Sequence, residues 1–430
     1  MTGKTVEVSL LDLSLMLSDA IDLINPTLNN HHKQVAYIAY HIGKEMNLSP
    51  DKQNQIIIAS LLHDIGALTL KDRVASLQFE IEDSNHHAYI GYLLLKNYKK
   101  FNEAAEIIRY HHQPWQDGKG EVIDGVAIPI ESHIIHLADR IAVLIKKDFE
   151  ILSQAKEIVK HIESRYIHMF HPKILKAFKI VMKKESFWFD LIFSSIDDKI
   201  KKLSGSKNQF LGLEELMETT KIFAYIIDFR SRFTSVHSSG VAAVAEALAK
   251  IQHWSWEDCL KIKIAGYLHD IGKLGIPSEI LEKPDKLTKE EYSIMKIHPY
   301  YSYHLLDKIR AFDNDIKQYA ALHHERIDGT GYPFRIQGEA LKEGSKIIAV
   351  ADVFTAITEE RPYRKGMKEI EALKVLNKMV NRNVIDPHLV KVLSDNFAKI
   401  NITRIQAQEK AMIEYNSFRK TARVRSKKYA

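Results

Sequence analysis

One cysteine, Cys259, stands in a chain of 430 residues. No internal disulfide can form, which excludes a cystine-stapled scaffold and fits a reducing compartment such as the cytoplasm. A zinc finger is excluded on the same ground. Glycine (18) and proline (11) are scarce, against ordinary usage of about 7% and 5%. So few tight turns and helix breakers predict an all-α protein. No apolar run approaches the roughly 20 residues of a spanning helix, so no membrane span is expected. Glu7, Asp12 and Asp19 interrupt the first apolar stretch and argue against a signal peptide. The net charge is a modest +6, part of it in Arg419, Lys420, Arg423, Arg425, Lys427 and Lys428. A terminal cluster of this kind reads as a solvated helix or tail, and no DNA partner is expected.

What is abundant is histidine, and its order repeats. The interval from His31 to His63-Asp64 equals that from His237 to His269-Asp270. His87 matches His298, His111-His112 matches His323-His324, and Asp139 matches Asp352. Apolar positions keep step: Val35, Ala36 and Ala39 align with Val241, Ala242 and Ala245 at helical spacing. His171-Pro172 aligns with Asp386-Pro387. So many matches in one order indicate an internal duplication. The expected organisation is two tandem helical bundles, residues 1–195 and 196–402, followed by 403–430 as a basic C-terminal helix or tail. Ser204-Gly205-Ser206 marks a join, and the run Phe187-Trp188-Phe189 is expected to pack between the halves.

In the second half His237, His269, Asp270, His298, His323, His324 and Asp352 make seven candidate metal ligands. One divalent cation takes four to six, so the set suits two, with the two oxygens of Asp270 as a bridge. Imidazole and carboxylate suit iron, manganese or zinc. Two metals about 3.5–4 Å apart generate a hydroxide at neutral pH and clamp both oxygens of a phosphoester displacement. Lys273 follows on the same segment and can neutralise a phosphate oxygen. The loop Asp328-Gly329-Thr330-Gly331-Tyr332-Pro333 lets backbone approach a ligand closely, and Tyr332 can stack on a base or ribose. Arg361 and Arg364 suggest a phosphate-rich anionic substrate.

Together HDIGK at His269–Lys273, HHE at His323–Glu325, DGTGYP at Asp328–Pro333 and RPYR at Arg361–Arg364 resemble the HD-GYP family, a branch of the HD-domain metal-dependent phosphohydrolases. The resemblance covers residues 208–402. It implies an all-helical domain that hydrolyses a cyclic dinucleotide, cyclic di-GMP or 3′,3′-cyclic GMP-AMP, with two or three metals, usually iron or manganese; nickel, cobalt and zinc are alternatives. By position, the seven residues above would be ligands, with Asp270 and Lys273 catalytic. Lys273, Tyr332, Arg361 and Arg364 would contact substrate. Three positions depart from the family pattern. Phe233 stands where some members carry a third-metal glutamate, Ser231 where an aspartate is frequent, and Thr355 where an aspartate is usual. Two metals are therefore favoured, with room for a mixed dinucleotide as substrate.

The first half keeps its own candidate metal set, His31, His63, Asp64, His87, His111, His112 and Asp139, but has Ala67 at the lysine position. It lacks both the Gly-Tyr-Pro loop and the Arg-Pro-Tyr-Arg stretch. A structural or regulatory role follows from that missing chemistry, with a second phosphate-ester activity as the other reading. For the whole chain two alternatives stay open. One is a catalytically silent cyclic-dinucleotide sensor acting through protein contacts. The other is an HD phosphohydrolase of other nucleotides. A homodimer or a signalling-protein partner is compatible with either.

Overall fold

The computed structural model describes residues 7–24, 30–67, 84–146, 148–193, 195–205, 209–230, 236–312, 315–360 and 364–429. Among them the chain is helical with short two-residue strands. It divides into two compact units, one built on Ser9–Phe210 and the other on Leu211–Thr421, with the chain ends up to Val8 and from Ala422 exchanged between them. No helix of the described residues is long and apolar enough to cross a membrane.

The first unit contains α1 (Leu10–Asp22), α2 (His31–Glu45), α3 (Pro50–Leu62), α4 (Ser84–Leu95), α5 (Asn102–Arg109), α6 (Ile130–Leu144), α7 (Ile151–Arg165), α8 (Pro172–Val181), α9 (Glu185–Ile192) and α10 (Ile196–Ser204). The second contains α11 (Leu213–Arg230), α12 (His237–Ile251), α13 (Trp256–Leu268), α14 (Ser278–Leu281), α15 (Lys289–Met295), α16 (His298–Asp307), α17 (Ile316–Ala321), α18 (Glu343–Thr358), α19 (Glu369–Val380), α20 (Pro387–Asp395) and α21 (Phe397–Tyr429).

The duplication shows in the helix starts. Ser49 caps α3 by accepting from the Lys52 amide, and Ser255 caps α13 by accepting from the Asp258 amide. His171 and Asp386 cap α8 and α20, each followed by a proline in the first helical turn. The central helices are buried along matching stripes. Val35, Ala36 and Ile38 of α2, and Val241, Ala242 and Val244 of α12, are completely inaccessible.

One glycine per unit sets the geometry of the site. A Cβ on Gly272 would lie 1.9 Å from the His298 carbonyl oxygen, and one on Gly66 would lie 2.1 Å from that of His87. Only glycine allows the turn after each His-Asp pair to press against the start of the helix that brings the next histidine.

Three expectations about boundaries are corrected. Helix α10 belongs to the first unit, because Ile196 and Ile200 are buried there, so the division falls at 210/211 and not at 195/196. Phe187 and Trp188 pack inside the first unit, Phe187 against Tyr37 at 5.7 Å and Trp188 against Phe178 at 6.5 Å between ring centroids. No separate segment begins at 403. Helix α21 runs through that position, with Ile400, Arg404, Gln408 and Ala411 buried. Ser206, read as part of the join, lies outside the described residues.

Candidate metal centres

Each histidine ligand of the second unit, and Asp270 with them, sits where a helix begins or ends. His237 and His298 are the first residues of α12 and α16, His269 and Asp270 follow α13, and His323 and His324 follow α17. Asp352 lies on α18. Helix ends leave backbone carbonyls with no partner in their own helix, and the histidines use them. The Nδ1 atoms of His269, His298 and His323 hydrogen-bond to the carbonyls of Gly266, Met295 and Ala320 at 2.8, 2.8 and 2.6 Å. Each ring is thereby held in the tautomer that leaves Nε2 as a ligand lone pair.

Those Nε2 atoms converge on Asp270. His269 Nε2 is 3.2 Å from Oδ2, and His298 and His323 Nε2 are 3.4 and 3.8 Å from Oδ1. His237 Nε2 is 3.1 Å from Asp352 Oδ1. The groups His237/His269/Asp352, His269/Asp270/His323 and His298/His323/His324 each place their ligand atoms within 4.8 Å of one another. The sets overlap, and the two Asp270 oxygens face different histidines, as a bridging carboxylate would. His269 Nε2 and Asp270 Oδ1 are buried and have no hydrogen-bond partner among the described residues. Buried polar atoms are seldom left so, and here they are the atoms a cation would take. The residues fit a two-metal group.

The electrostatics agree. Burial drives the His298 and His323 imidazoles down to about 3 and about 4, so both are neutral lone-pair donors. His324 is held well below its ordinary value by burial and by its histidine neighbours. Burial disfavours charge on Asp270, but His269 and Lys273 outweigh it and hold the carboxyl well below the usual range. His237 is the exception. Burial opposes its charge, yet Glu359 and Asp352 push it up to about 10, so a metal must displace a proton there.

Lys273 Nζ is 2.5 Å from Asp270 Oδ2 and its side chain is 19% exposed, so it stands on the rim of the cluster. Tyr332 lies beside His324, ring centroids 4.9 Å apart at 31°. The loop that carries it is folded around Glu325, whose carboxylate accepts from the amides of Phe334, Arg335 and Ile336 at 2.7, 3.1 and 3.0 Å. Gly331 passes so close that a Cβ would meet the Arg326 nitrogen at 2.4 Å. Arg364 is exposed and donates to the Ala356 carbonyl, one turn past Asp352 on α18. Thr355 is buried beside Gly240. Arg361, Ser231 and Phe233 lie outside the described residues.

The first unit builds the same scaffold. His63 and His111 hold Nδ1 on the carbonyls of Ser60 and Ile108 at 2.8 and 2.7 Å. Asp64, His87, His111 and His112 form one buried ligand group, and His31, His63 and Asp64 another. Asp64 Oδ1 is 3.2 Å from His87 Nε2, and Asp139 Oδ1 is 3.1 Å from His31 Nε2. Two things differ. Ala67 stands at the position of Lys273, and Arg140 is fully buried with Nη2 2.5 Å from Asp139 Oδ2. Where the second unit has the Tyr332 loop, the first has Trp115, 4.2 Å from His171, and a hairpin pairing Val122–Ile123 with Val126–Ala127.

Two residues close to the chemistry escaped the sequence reading, Glu325 as loop anchor and Glu359 behind His237. The only signal for Glu325 was its place directly after His323-His324. Glu359 gave none.

The HD domain family matches this chain twice, over residues 29–144 and 221–389. The chain is 30% identical to the 3′3′-cGAMP-specific phosphodiesterase 1 of Vibrio cholerae, over 90% of this chain and 92% of that protein. It is 39% identical to the cyclic di-GMP phosphodiesterase response regulator RpfG of Xanthomonas campestris, over 42% of this chain and 48% of that protein. The crystal structure of a cyclic GMP-AMP specific phosphodiesterase of V. cholerae matches with a TM-score of 0.65 at 23% identity, covering 91% of this chain and 98% of the other, which shows the fold.

Proposed function

We propose that this chain, which belongs to the HD-GYP branch of the HD-domain metal-dependent phosphohydrolases, is a cyclic-dinucleotide phosphodiesterase whose reaction runs in the second unit. The observation that carries this reading is the chain of three ligand groups joined through His269 and His323, with Asp270 in the middle group, Lys273 on its carboxylate and Tyr332 beside the flanking His324. Two divalent cations, iron or manganese, would supply Lewis acidity to the phosphodiester and acidify the attacking water. The protein's own part is placement. The neutral imidazoles of His298, His323 and His324 and the carboxylates of Asp270 and Asp352 hold the cations. Lys273, partly exposed, can turn from Asp270 to a phosphoryl oxygen as negative charge builds there. Tyr332 offers a face to a base, and Arg361 and Arg364 bind the rest of the anion. Water adds to phosphorus, the 3′-oxygen leaves and takes a proton, and the ring opens to a linear dinucleotide.

The preferred substrate in this reading is 3′,3′-cyclic GMP-AMP over cyclic di-GMP. Two relatives that match about nine tenths of this chain are named for the mixed dinucleotide, whereas RpfG matches 42% of it and a cyclic di-GMP phosphodiesterase of Thermotoga maritima 57%. The first unit, with a ligand set and no groups for a dinucleotide, takes a structural or regulatory role that keeps its own metal.

Turnover of both dinucleotides by the purified full chain with Mn(II) or Fe(II), with metal counted per chain, tests this. Hydrolysis is expected to vanish in Asp270→Ala and to survive in Asp64→Ala. A fully metallated chain that binds nucleotide without consuming it would instead be a sensor.

A further inference from the structure

The ligands of the second unit leave a buried chain of polar side chains behind His237 without a task. His269, His298 and His323 each fix Nδ1 on a carbonyl three residues earlier. His237 does not: its Nδ1 donates to Glu359 Oε2 at 3.1 Å. Glu359 follows the last residue of α18 and is 4% exposed. Thr355, one turn earlier on the same face, has no charge to offer Nδ1. A carboxylate at this depth needs further donors. Gln408 Nε2 donates to the same Oε2 at 3.1 Å. Arg404 donates to the Gln408 side-chain oxygen and, at 3.3 Å, to the Thr358 carbonyl. Gln408 and Arg404 lie one turn apart on α21, both buried. Gly240 makes the room, since a Cβ there would stand 2.9 Å from Gln408 Nε2.

We propose that Glu359 is a positioning residue for the metal centre of the second unit, and that Gln408 and Arg404 of α21 hold it in place, so that the C-terminal helix is part of the site. The carboxylate fixes the tautomer that leaves His237 Nε2 as ligand atom and strengthens its donation to a cation. In the first unit, counting from Asp139 as from Asp352, the matching position is Lys146, which is exposed. The inference rests on His237 being a metal ligand. It does not rest on the choice of substrate, because metal binding is read without nucleotide.

The test is manganese titration of metal-stripped full-length protein, with helix content followed by circular dichroism. Glu359→Ala is expected to weaken one manganese site by roughly 10–100-fold with helix content unchanged. Glu359→Gln keeps an acceptor for Nδ1 and should recover part of that loss. Gln408→Leu touches no ligand and should weaken the same site by a smaller factor. Turnover lost in Glu359→Ala should return at saturating manganese with the KM for dinucleotide unchanged, a rescue that a merely structural role would not give. If Glu359→Ala does not fold, the other two variants decide. Wild-type manganese affinity in both overturns the proposal, as does equal weakening of every site.

Discussion

Among the described residues each unit pairs a buried carboxylate of its ligand set with a cation from its own chain, Asp270 in the second and Asp139 in the first. In the second, Lys273 sits 2.5 Å from Asp270, the residue that faces both halves of the cluster. In the first, Ala67 has replaced that lysine, and Arg140 sits 2.5 Å from Asp139 at the edge of the set. Exposure separates them further. The Lys273 side chain is 19% exposed and the Arg140 side chain 2%. A lysine on the rim can leave its carboxylate for an incoming phosphate. An arginine sealed in the core cannot, and its fixed charge opposes protonation of His112 and His136. Among the described residues the second unit thus keeps a cation on the rim of its ligand set, and the first keeps one sealed inside.

The largest effect should come from breaking the sealed pair. Arg140→Ala strands Asp139 in the core, and losing one partner of a buried ion pair costs about 3–5 kcal/mol. We expect the metal-free first unit to lose that much in urea unfolding, and added Mn(II) to restore much of it by taking the vacated charge. Unchanged stability would mean that Arg140 is not the cation of this site.

Lys273→Ala comes next. Loss of one donor to developing phosphoryl charge lowers kcat by about 10²–10³-fold, with metal content unchanged because Lys273 is not a ligand. The reciprocal change, Ala67→Lys, should create no activity in an Asp270→Ala background, since the first unit still lacks the Tyr332 loop. Dinucleotide turnover there would show that lysine alone separates the halves.

Most of this scaffold was legible in the sequence, and the reason is chemical. Metal ligands must be particular side chains, and they must recur at the helix ends that hold them, so His63-Asp64 and His269-Asp270 announce themselves twice. What stayed hidden acts through the backbone or through distant partners. Glu325 works by accepting three amides from residues nine to eleven positions on, and Glu359 by reaching a helix that begins far away in the chain. Arg140 looks like any arginine on an amphipathic helix until Asp139 is seen to need it. Neither the helix break before Ile196 nor position 402 within α21 marks a change of unit, because both helices are placed by their buried faces.

The smallest effect needs no substitution and compares the units through pH. The ligand histidines roughly cancel, since His63, His111 and His112 in one unit and His298, His323 and His324 in the other are all lowered, chiefly by burial. The first unit adds His41, His133 and His136, which burial lowers to about 4, 4 and 3. The second adds His237, raised to about 10 by Glu359 and Asp352 against its burial. An unfolded chain protonates its histidines near pH 6.5. Below that pH the unfolded state binds protons that His41, His133 and His136 refuse in the fold, so the first unit loses stability as pH falls from about 6.5 toward 4. His237 works in the opposite sense: its contribution is fully present below pH 6.5 and is lost as pH rises toward about 10. Between pH 7 and pH 6 each of the three added histidines should cost the metal-free first unit about 0.7 kcal/mol beyond the loss that the lowered ligand histidines impose on both units, while His237 offsets part of that loss in the second. Amide exchange in α2 and α6 should therefore accelerate on acidification relative to α12 and α18, once intrinsic rates are corrected. Equal responses would mean that the extra buried histidines are solvated or paired in solution, and that the two units differ only in their cations.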